Sequence, residues 1–221
     1  MIVAIDGPAG AGKSSVARRL ARTLDFEFLD TGSLYRAATL AVLRQKLPID
    51  QPDVWWPTVQ AHSIRPDTDR VWLDDEEVAA WIRSPEVTAG IRHLADEPRV
   101  RNKLNDIQRA YVIGRDVVTE GRDQGTEVFP HAECKIFLTA TPAERARRRA
   151  QQYAAEGQVV SIDEILAAQN KRDAEDASRP MGALRIADDA VEVVTDGMTT
   201  DEVIDRLVRE VRSHHPVPGG R

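Results

Sequence analysis

A glycine-rich loop near the start of the chain constrains the fold more than any other feature. Residues 5–15 read IDGPAGAGKSS and follow the apolar run MIVA. The loop fits the pattern G-x-x-x-x-G-K-[ST] from Gly7 to Ser14. Residues from Ser14 to about Leu24 have a helical pattern. A strand, a glycine turn and a helix in direct succession are typical of an α/β fold with a parallel sheet.

The loop has the composition of a triphosphate-binding site. Glycines allow consecutive backbone N–H groups to approach phosphate oxygens without a Cβ in the way. The start of the following helix adds its positive end. Lys13 is expected to contact the β- and γ-phosphates, and the Ser14 hydroxyl to bind Mg²⁺. We therefore expect ATP and Mg²⁺ at a loop made of Gly7, Pro8, Ala9, Gly10, Ala11, Gly12, Lys13, Ser14 and Ser15.

Short apolar runs alternate with helical patterns along the rest of the chain. MIVAID, FEFLD, DVVTEG, KIFLTA and AVEVVTD are predicted strands, and TTDEVIDRLVREV is the last predicted helix. This alternation favours a parallel sheet covered by helices on both faces. The alternation is interrupted from about 48 to 105, where HSIRP…RVWLDDEEV predicts a hairpin, and from about 150 to 182, a charged helical segment. Both are interpreted as insertions on the core.

The chain is acidic and has a globular composition. It has 221 residues, a net charge of −6 and 42% hydrophobic residues, which indicates one domain with a substantial core. A general nucleic-acid-binding protein is more often basic, so no nucleic-acid partner is expected. The lone cysteine, Cys134, excludes a disulfide within the chain and is expected to be buried. No apolar stretch is long enough for a membrane span, and the first residues are already a predicted strand, so the expected location is the cytoplasm.

Two segments after predicted strands carry the side chains of a second anion site. DTGSLYR, residues 30–36, ends in Arg36, and ligands of open α/β sheets bind at the carboxyl ends of the strands. TEGRDQGT, residues 119–126, places Arg122 beside Asp123. An arginine can clamp a phosphate, and a carboxylate can accept a hydrogen bond from a base amino group. A surface arginine and a capped helix with a salt bridge are the simpler alternatives.

A third segment adds arginines on a predicted helix. KRDAEDASR, residues 171–179, spaces Arg172, Asp176 and Arg179 along one helix face, and ERARRR lies shortly before it. Phosphoryl transfer is catalysed mostly by positioning and by cations around the transferring group. Arginines on a mobile segment would bring two anions together and exclude water. A solvated helix face with internal ion pairs is the alternative.

Together these motifs resemble the bacterial cytidylate kinases along nearly the whole chain, to about residue 211. The matching segments, in order, are IDGPAGAGKSSVA, FLDTGSLYRA, VWLDDEEVAAWIRSPEV, EPRVR…QR, VVTEGRDQGTEVFP, KIFLTATPAERARRR and RDAEDASR. LDTGSLYR and EGRDQGT distinguish this family from the adenylate, thymidylate and shikimate kinases, which share the loop. The resemblance implies an α/β P-loop three-layer sandwich with a five-stranded parallel sheet, a small nucleoside-monophosphate-binding insertion and a helical lid.

The resemblance also implies an activity and a domain plan. The reaction would be ATP + (d)CMP → ADP + (d)CDP with Mg²⁺, a step of pyrimidine nucleotide metabolism carried out by a monomer. A single P-loop kinase domain would cover residues 1–221. It would contain a CMP-binding insertion at about 36–105, a lid at about 150–182 and a flexible tail at about 213–221.

Substrate and catalytic roles carry over from the family to matching positions. Asp123 matches a residue that reads cytosine, and an ionised carboxylate suits the exocyclic amino group of cytosine, where uracil has an oxygen. Arg101, within PRVR, matches a second base-reading position, and Asp176 matches a residue at the CMP ribose. The implied phosphate ligands are Thr31 and Arg36 on the CMP phosphate, Arg122 on the acceptor phosphate, and the lid arginines Arg172 and Arg179. Lys13, Arg122, Arg172 and Arg179 are the implied catalytic residues.

Three positions depart from the family pattern. Arg92 aligns with a position where the family has a serine that helps to read cytosine, and a guanidinium cannot accept a hydrogen bond. Either the base contact is remade, or the alignment with the family shifts by one residue here. Gln124 replaces an apolar residue of RDxGT and could alter the base pocket. Asp75 replaces a turn glycine, which is tolerable because aspartate is a fair turn former.

Three other functions are compatible with some of these motifs. A kinase of the same fold could accept UMP or another small phosphate acceptor. A P-loop regulatory NTPase could signal through switch loops, although such a protein needs no second anion site. A nucleic-acid-binding protein could use the arginines as a phosphate track, but net acidity and the absence of aromatics among the arginines argue against it.

Overall fold

The fold was analysed in a computed structural model that describes residues 1–155 and 157–214. The elements follow in the order β1 (Ile2–Asp6), α1 (Lys13–Leu24), β2 (Glu27–Asp30), α2 (Thr31–Arg44), α3 (Pro52–Ala61), β3 (Ile64–Asp67), β4 (Arg70–Leu73), β5 (Glu76–Glu77), α4 (Pro85–Ala95), α5 (Pro98–Tyr111), β6 (Val117–Glu120), a π-helical turn (Gln124–Val128), β7 (Cys134–Thr139), α6 (Pro142–Ala155), α7 (Ile162–Ala177), β8 (Val191–Val194) and α8 (Thr200–His214). Residues 213 and 214 of the predicted tail belong to α8, and its remainder lies outside the described residues.

The predicted parallel sheet is confirmed, with five strands in the order β2-β6-β1-β7-β8. The registers of β1 with β7 and of β7 with β8 are parallel, for example Val3 opposite Cys134 and Ile136 opposite Val191. All five strands are those predicted from the apolar runs. Cys134 is buried, as expected.

The chain divides into two compact units, and the first comprises Met1–Phe26 and Val118–Arg221. Its helices are amphipathic. In α1 the buried apolar side chains are Val16, Ala17, Leu20 and Ala21, at helical spacing. In α8 they are Val203, Ile204, Leu207 and Val211, also at helical spacing.

The second unit comprises Glu27–Val117 and has its own apolar core. Helix α2 supplies many of the buried side chains, including Leu34 and Val42. Trp55 of α3 is fully buried, and its indole N–H donates to the Ile49 carbonyl at 3.0 Å. The region predicted as a hairpin is a three-stranded antiparallel sheet, β3-β4-β5, because the two-residue strand Glu76–Glu77 adds to the predicted pair.

Among the described residues, no helix is both long enough and apolar enough to cross a membrane. The same residues contain no group of three or more His, Cys, Asp and Glu side chains arranged to hold a metal ion.

Candidate active site

The loop between β1 and α1 has a backbone that glycine makes possible. A Cβ on Gly7 would lie 2.0 Å from the Leu138 carbonyl oxygen, and the φ angle there is +148°. Gly12 caps α1 in the left-handed region, at φ +85°, and has no atom within 4 Å of its Cβ position. The loop therefore lies tightly against β7 on one side and presents open space at the start of the helix. That arrangement fits phosphate groups.

Lys13 is the first residue of α1, and its side chain is buried in the loop. Its Nζ donates to the Pro8 carbonyl at 2.9 Å. Burial, followed by the nearby Arg122 guanidinium, lowers the pKa of Lys13 to about 7. Arg172 also lies close enough to lower the pKa of Lys13. Lys13 is thus close to two of the other cations predicted for catalysis, and two nearby carboxylates only partly offset their effect on its pKa.

Ser14 contacts an acidic residue that the sequence analysis did not single out. The Ser14 hydroxyl donates to Glu120 Oε1 at 2.8 Å. Glu120 is the last residue of β6. Its place in the sequence, as an acid at the end of an apolar strand, is the feature from which its role could have been predicted. Hydroxyl and carboxylate oxygens are the ligands that Mg²⁺ prefers, either directly or through its waters. The pair therefore fits a magnesium ion carried by a nucleotide.

The structure brings together three of the predicted substrate residues: two arginines and the carboxylate that both of them contact. Asp176 accepts from Arg122 Nε at 2.9 Å through one oxygen and pairs with Arg179 at 2.9 Å through the other. Asp176 is buried, so both charges are partly desolvated. Helix α7 ends at Ala177, so the prediction that Arg179 lies on a helix face is wrong: it follows the helix end. It still reaches Asp176, three residues earlier, because Ser178 keeps a right-handed helical conformation and its N–H donates to the Ala174 carbonyl.

Arg145 of α6 is a second residue that the sequence analysis did not assign. Its guanidinium is buried, donates to the Ala9 carbonyl of the loop at 2.8 Å, and donates to the Ala140 carbonyl at 3.2 Å. It also forms an ion pair of 2.6 Å with Asp173 of α7. The ERARRR segment therefore places one arginine against the loop backbone.

Gln124 lies inside the first unit. Its side chain is fully buried, and its Oε1 accepts from the Thr119 hydroxyl at 2.8 Å. The amide oxygen of Gln124, which replaces an apolar residue of the family pattern, thus has a hydrogen-bond donor in Thr119 of β6. Asp123, next to it, is buried as well.

In the second unit, Thr31 and Arg36 lie on α2. Thr31 is the first residue of the helix and is buried, and Asp30 caps the helix by accepting from Ser33 N–H at 3.1 Å. Arg36 donates to the Thr88 hydroxyl at 2.8 Å. Burial and the nearby Arg83 lower the pKa of Arg36. Arg83, which was not predicted, forms an ion pair with Asp30 at 3.1 Å and adds a second cation near the start of α2.

Arg101 and Arg92 have contrasting environments in this unit. Arg101 is buried, its guanidinium lies 5.5 Å from the centroid of the Tyr35 ring, and it donates to the Ala95 carbonyl at 3.0 Å. The Arg92 side chain is 55% exposed and pairs with Asp96 of the same helix region at 3.4 Å. A buried guanidinium beside an aromatic ring suits base binding, whereas Arg92 is held at the surface of α4.

Comparison with known proteins identifies the family. A family model described as "Cytidylate kinase" matches residues 3–213. The chain belongs to the cytidylate kinase family. It is 56% identical over 212 residues to the cytidylate kinase of Rhodopirellula baltica, covering 96% of this chain and 93% of that protein. It is 45% identical over 213 residues to the cytidylate kinase of Mycobacterium leprae, with 96% of each chain covered.

Other relatives and solved structures extend the comparison. A bifunctional pantoate ligase/cytidylate kinase of Synechococcus sp. is 46% identical over 220 residues, covering 96% of this chain but 40% of that relative. An uncharacterized protein from Eubacterium ventriosum has a TM-score of 0.55 at 11% identity, with 96% of this chain and 99% of that one covered. TT1252 from Thermus thermophilus has a TM-score of 0.51 at 18% identity, with 98% of each covered. These likenesses show the fold, and the family resemblance inferred from the motifs is confirmed.

Proposed function

We propose that the chain transfers the γ-phosphate of ATP to CMP or dCMP and releases ADP with CDP or dCDP. One observation carries the proposal: in a chain of the cytidylate kinase family, the phosphate loop holds a buried Lys13 beside the Ser14–Glu120 pair. A loop with this lysine and these oxygens can hold a triphosphate and its cation. The family membership supports a cytidine monophosphate as the acceptor.

The donor side of the proposal uses the loop residues Gly7–Ser15. Backbone N–H groups and the start of α1 hold the phosphates, and Lys13 exchanges its contact with the Pro8 carbonyl for phosphate oxygens. Ser14, with Glu120 behind it, would hold Mg²⁺. When bound, the metal ion supplies positive charge to the β- and γ-phosphate oxygens.

Transfer is proposed as a direct in-line displacement without a covalent enzyme intermediate. An oxygen of the CMP phosphate forms a bond to the γ-phosphorus, the bond to the bridging oxygen breaks, and that oxygen leaves with ADP. Lys13, Arg122, Arg172 and Arg179 neutralise the negative charge on the transferring group. Asp176 holds Arg122 and Arg179 at 2.9 Å each, so their guanidinium groups are kept in position before an anion arrives.

The residues proposed to bind the acceptor are those at positions that match the acceptor site of the family. Thr31 and Arg36 hold the CMP phosphate, and Asp176 contacts the ribose. Asp123 and Arg101 read the base, which agrees with their burial, since buried polar groups left unpaired by the wrong base are costly. Activity with a uracil acceptor would then be weak.

The test is ADP formation from ATP and Mg²⁺ with CMP, dCMP, UMP, AMP, GMP and dTMP offered separately. Strong activity with CMP and dCMP, and little with the others, is expected. Strong activity with UMP would instead support the kinase with a shifted acceptor. Slow ATP hydrolysis with no productive acceptor would support the regulatory NTPase. Magnesium dependence, a monomeric state, a cytoplasmic location, the insertion at about 36–105 and the lid at about 150–182 stay predictions.

A further inference from the structure

Asp6, the last residue of β1, makes contacts that the proposed mechanism has not used. Its side chain is buried. Oδ1 accepts from the Gln124 backbone N–H at 2.9 Å, and Oδ2 accepts from the Gly125 backbone N–H at 2.7 Å. One carboxylate therefore binds two successive amides of a segment more than a hundred residues away in the chain.

These contacts fix one end of the segment that carries Arg122 and Asp123. The other end is fixed by the Gly121 N–H, which donates to the Ile5 carbonyl at 3.0 Å. Ile5 and Asp6 are adjacent on β1, so a single strand end holds the backbone on both sides of Arg122 and Asp123. The backbone between the two attachments is short, and the conformation of Asp123 (φ −137°, ψ 18°) is not that of a regular helix or strand. Such a conformation persists only when its surroundings hold it.

The site requires a carboxylate rather than any polar group. Burying a carboxylate is costly unless its oxygens are hydrogen-bonded, and here each oxygen has a backbone donor. Desolvation nevertheless raises the pKa of Asp6 to about 6. A Cβ on Gly125 would make a tight contact of 3.2 Å with the Lys135 Cδ and an ordinary contact of 3.4 Å with Asp6 Oδ2.

We propose that Asp6 is a positioning residue for acceptor selectivity: it holds the 121–125 backbone so that Asp123 presents its carboxylate to the cytosine amino group. The proposal rests on the proposed function, in which Asp123 reads the base. Asp6 acts through this backbone and does not touch the substrate. An amide in its place would offer one acceptor oxygen and turn an N–H₂ group towards the second backbone N–H.

The experiment compares kcat and KM of the wild type and Asp6→Asn with CMP and UMP at saturating ATP. Losing a hydrogen bond to a charged group is expected to lower kcat/KM for CMP about tenfold or more. We expect kcat/KM for UMP to fall less, so that the CMP-to-UMP ratio drops, while KM for ATP changes less than about twofold. A merely structural role would lower activity with both acceptors alike.

Two further variants make the result decisive. Glu133→Gln is the matched control, because the Glu133 carboxylate also accepts a backbone N–H of β1, from Ile2 at 2.7 Å, but at the opposite end of the strand. It should leave the CMP-to-UMP ratio unchanged. Gly125→Ala keeps the Asp6 carboxylate but crowds the same turn, where the new Cβ would lie 3.2 Å from the Lys135 Cδ. We expect it to lower the ratio in the same direction by a smaller factor, and it serves as the test if Asp6→Asn does not fold.

The outcomes separate this inference from the proposed function. A wild-type enzyme without preference for CMP overturns both. A wild-type preference that survives intact in folded Asp6→Asn, or in Gly125→Ala where only that variant folds, overturns the positioning role and leaves the kinase assignment standing. A rise in KM for ATP equal to the rise in KM for CMP also overturns it, because the defect would then lie in the phosphate loop.

Discussion

The Ser14 hydroxyl donates a hydrogen bond of 2.8 Å to the Glu120 carboxylate, across a separation of 106 residues in the chain. Ser14 lies at the start of α1 and Glu120 at the end of β6. The contact joins the residue expected to bind Mg²⁺ to an acidic residue able to orient the water molecules of the ion. The proposed magnesium site thus draws on two elements that are distant from each other in the sequence.

Glu120→Gln should therefore lower the affinity of the enzyme for Mg²⁺ and its activity with the ion, while the fold stays intact. Partners of this kind typically contribute about 10–100-fold in metal affinity or activity. A magnesium titration of kcat at saturating ATP and CMP would show a higher half-saturating concentration and a lower plateau. Glu127→Gln is the control, because Glu127 accepts from the Gly182 N–H at 2.8 Å and has no proposed role in the reaction. Identical magnesium curves for Glu120→Gln and wild type would exclude the assignment.

Lys13→Met should remove activity and stabilise the apo-enzyme. Removing a preorganised charge from the transferring phosphate costs at least about 10²–10³-fold in turnover. The buried ammonium of Lys13 is close to Arg122 and Arg172. An apolar side chain of similar length removes this unfavourable charge and should therefore stabilise the folded state. Residues selected for activity often lower stability in this way.

The unfolding temperature is the measurement that distinguishes this explanation from simple damage. Lys135→Met is the matched comparison, because Lys135 is also buried but has an ion pair of 2.8 Å with Asp189 and donates to the Pro130 carbonyl. We expect Lys13→Met to raise the unfolding temperature and Lys135→Met to lower it. A lower temperature for both variants would show that the Lys13 charge is well compensated in the apo-enzyme.

The pH dependence of catalysis should report the lowered pKa of Lys13, which is about 7 because of burial and Arg122. Below that pH the ammonium form binds phosphate, and above it the neutral amine does not, so kcat/KM for ATP should decline as the pH rises past about 7. Bound phosphates favour the charged form, so kcat should hold to a higher pH. Lys13→Arg, which stays charged, should lack the decline at any activity it retains. A flat kcat/KM profile between about pH 6 and 9 would contradict the prediction.

The features predicted from the sequence are those encoded by residues close together in the chain. The phosphate loop, the strands of the sheet and the amphipathic α8 each have a pattern within one segment. The contact of Asp176 with Arg179 could also be predicted from the sequence, because the two residues lie three positions apart. Local spacing and apolar periodicity contain this information.

The residues that were missed act through contacts between distant segments. Arg145 donates to Ala9 across 136 residues, and Asp6 accepts from Gln124 across 118. The segment ERARRR contains four arginines, and nothing in the local sequence shows which of them is buried against the loop. The third strand of the small sheet was missed because Glu76 and Glu77 are two exposed acids, which have low strand propensity. Their pairing is set by the turn at Asp74, whose carboxylate accepts from Ser63 N–H at 2.8 Å.

Arg145→Met should weaken ATP binding more than CMP binding. The Arg145 guanidinium holds the Ala9 carbonyl at 2.8 Å and pairs with Asp173 at 2.6 Å, so its loss leaves the loop less ordered before ATP arrives. We expect KM for ATP to rise about tenfold, equivalent to about 1.4 kcal/mol, with KM for CMP within about twofold. Arg147→Met is the control on the same helix, where the arginine pairs with Glu144 at the surface. An equal rise in both KM values would place the defect in the fold instead of the loop.

Asp123→Asn should reduce activity with CMP more than with UMP. The carboxylate can only accept, which suits the cytosine amino group, whereas an amide can also donate to the uracil oxygen. We expect the CMP-to-UMP ratio of kcat/KM to fall by at least about tenfold, as is usual when a polar pocket loses its hydrogen-bonding match.

Arg92→Ser is the informative companion to that variant, because it restores the residue that the family pattern has at this position. The Arg92 side chain is 55% exposed and pairs with Asp96, so it is not held in a buried base pocket. Its replacement should leave the ratio within about twofold of wild type, since exposed ion pairs contribute little. A large gain in CMP preference on restoring serine would mean that position 92 reaches the base and that the selectivity proposed for Asp123 is shared with α4.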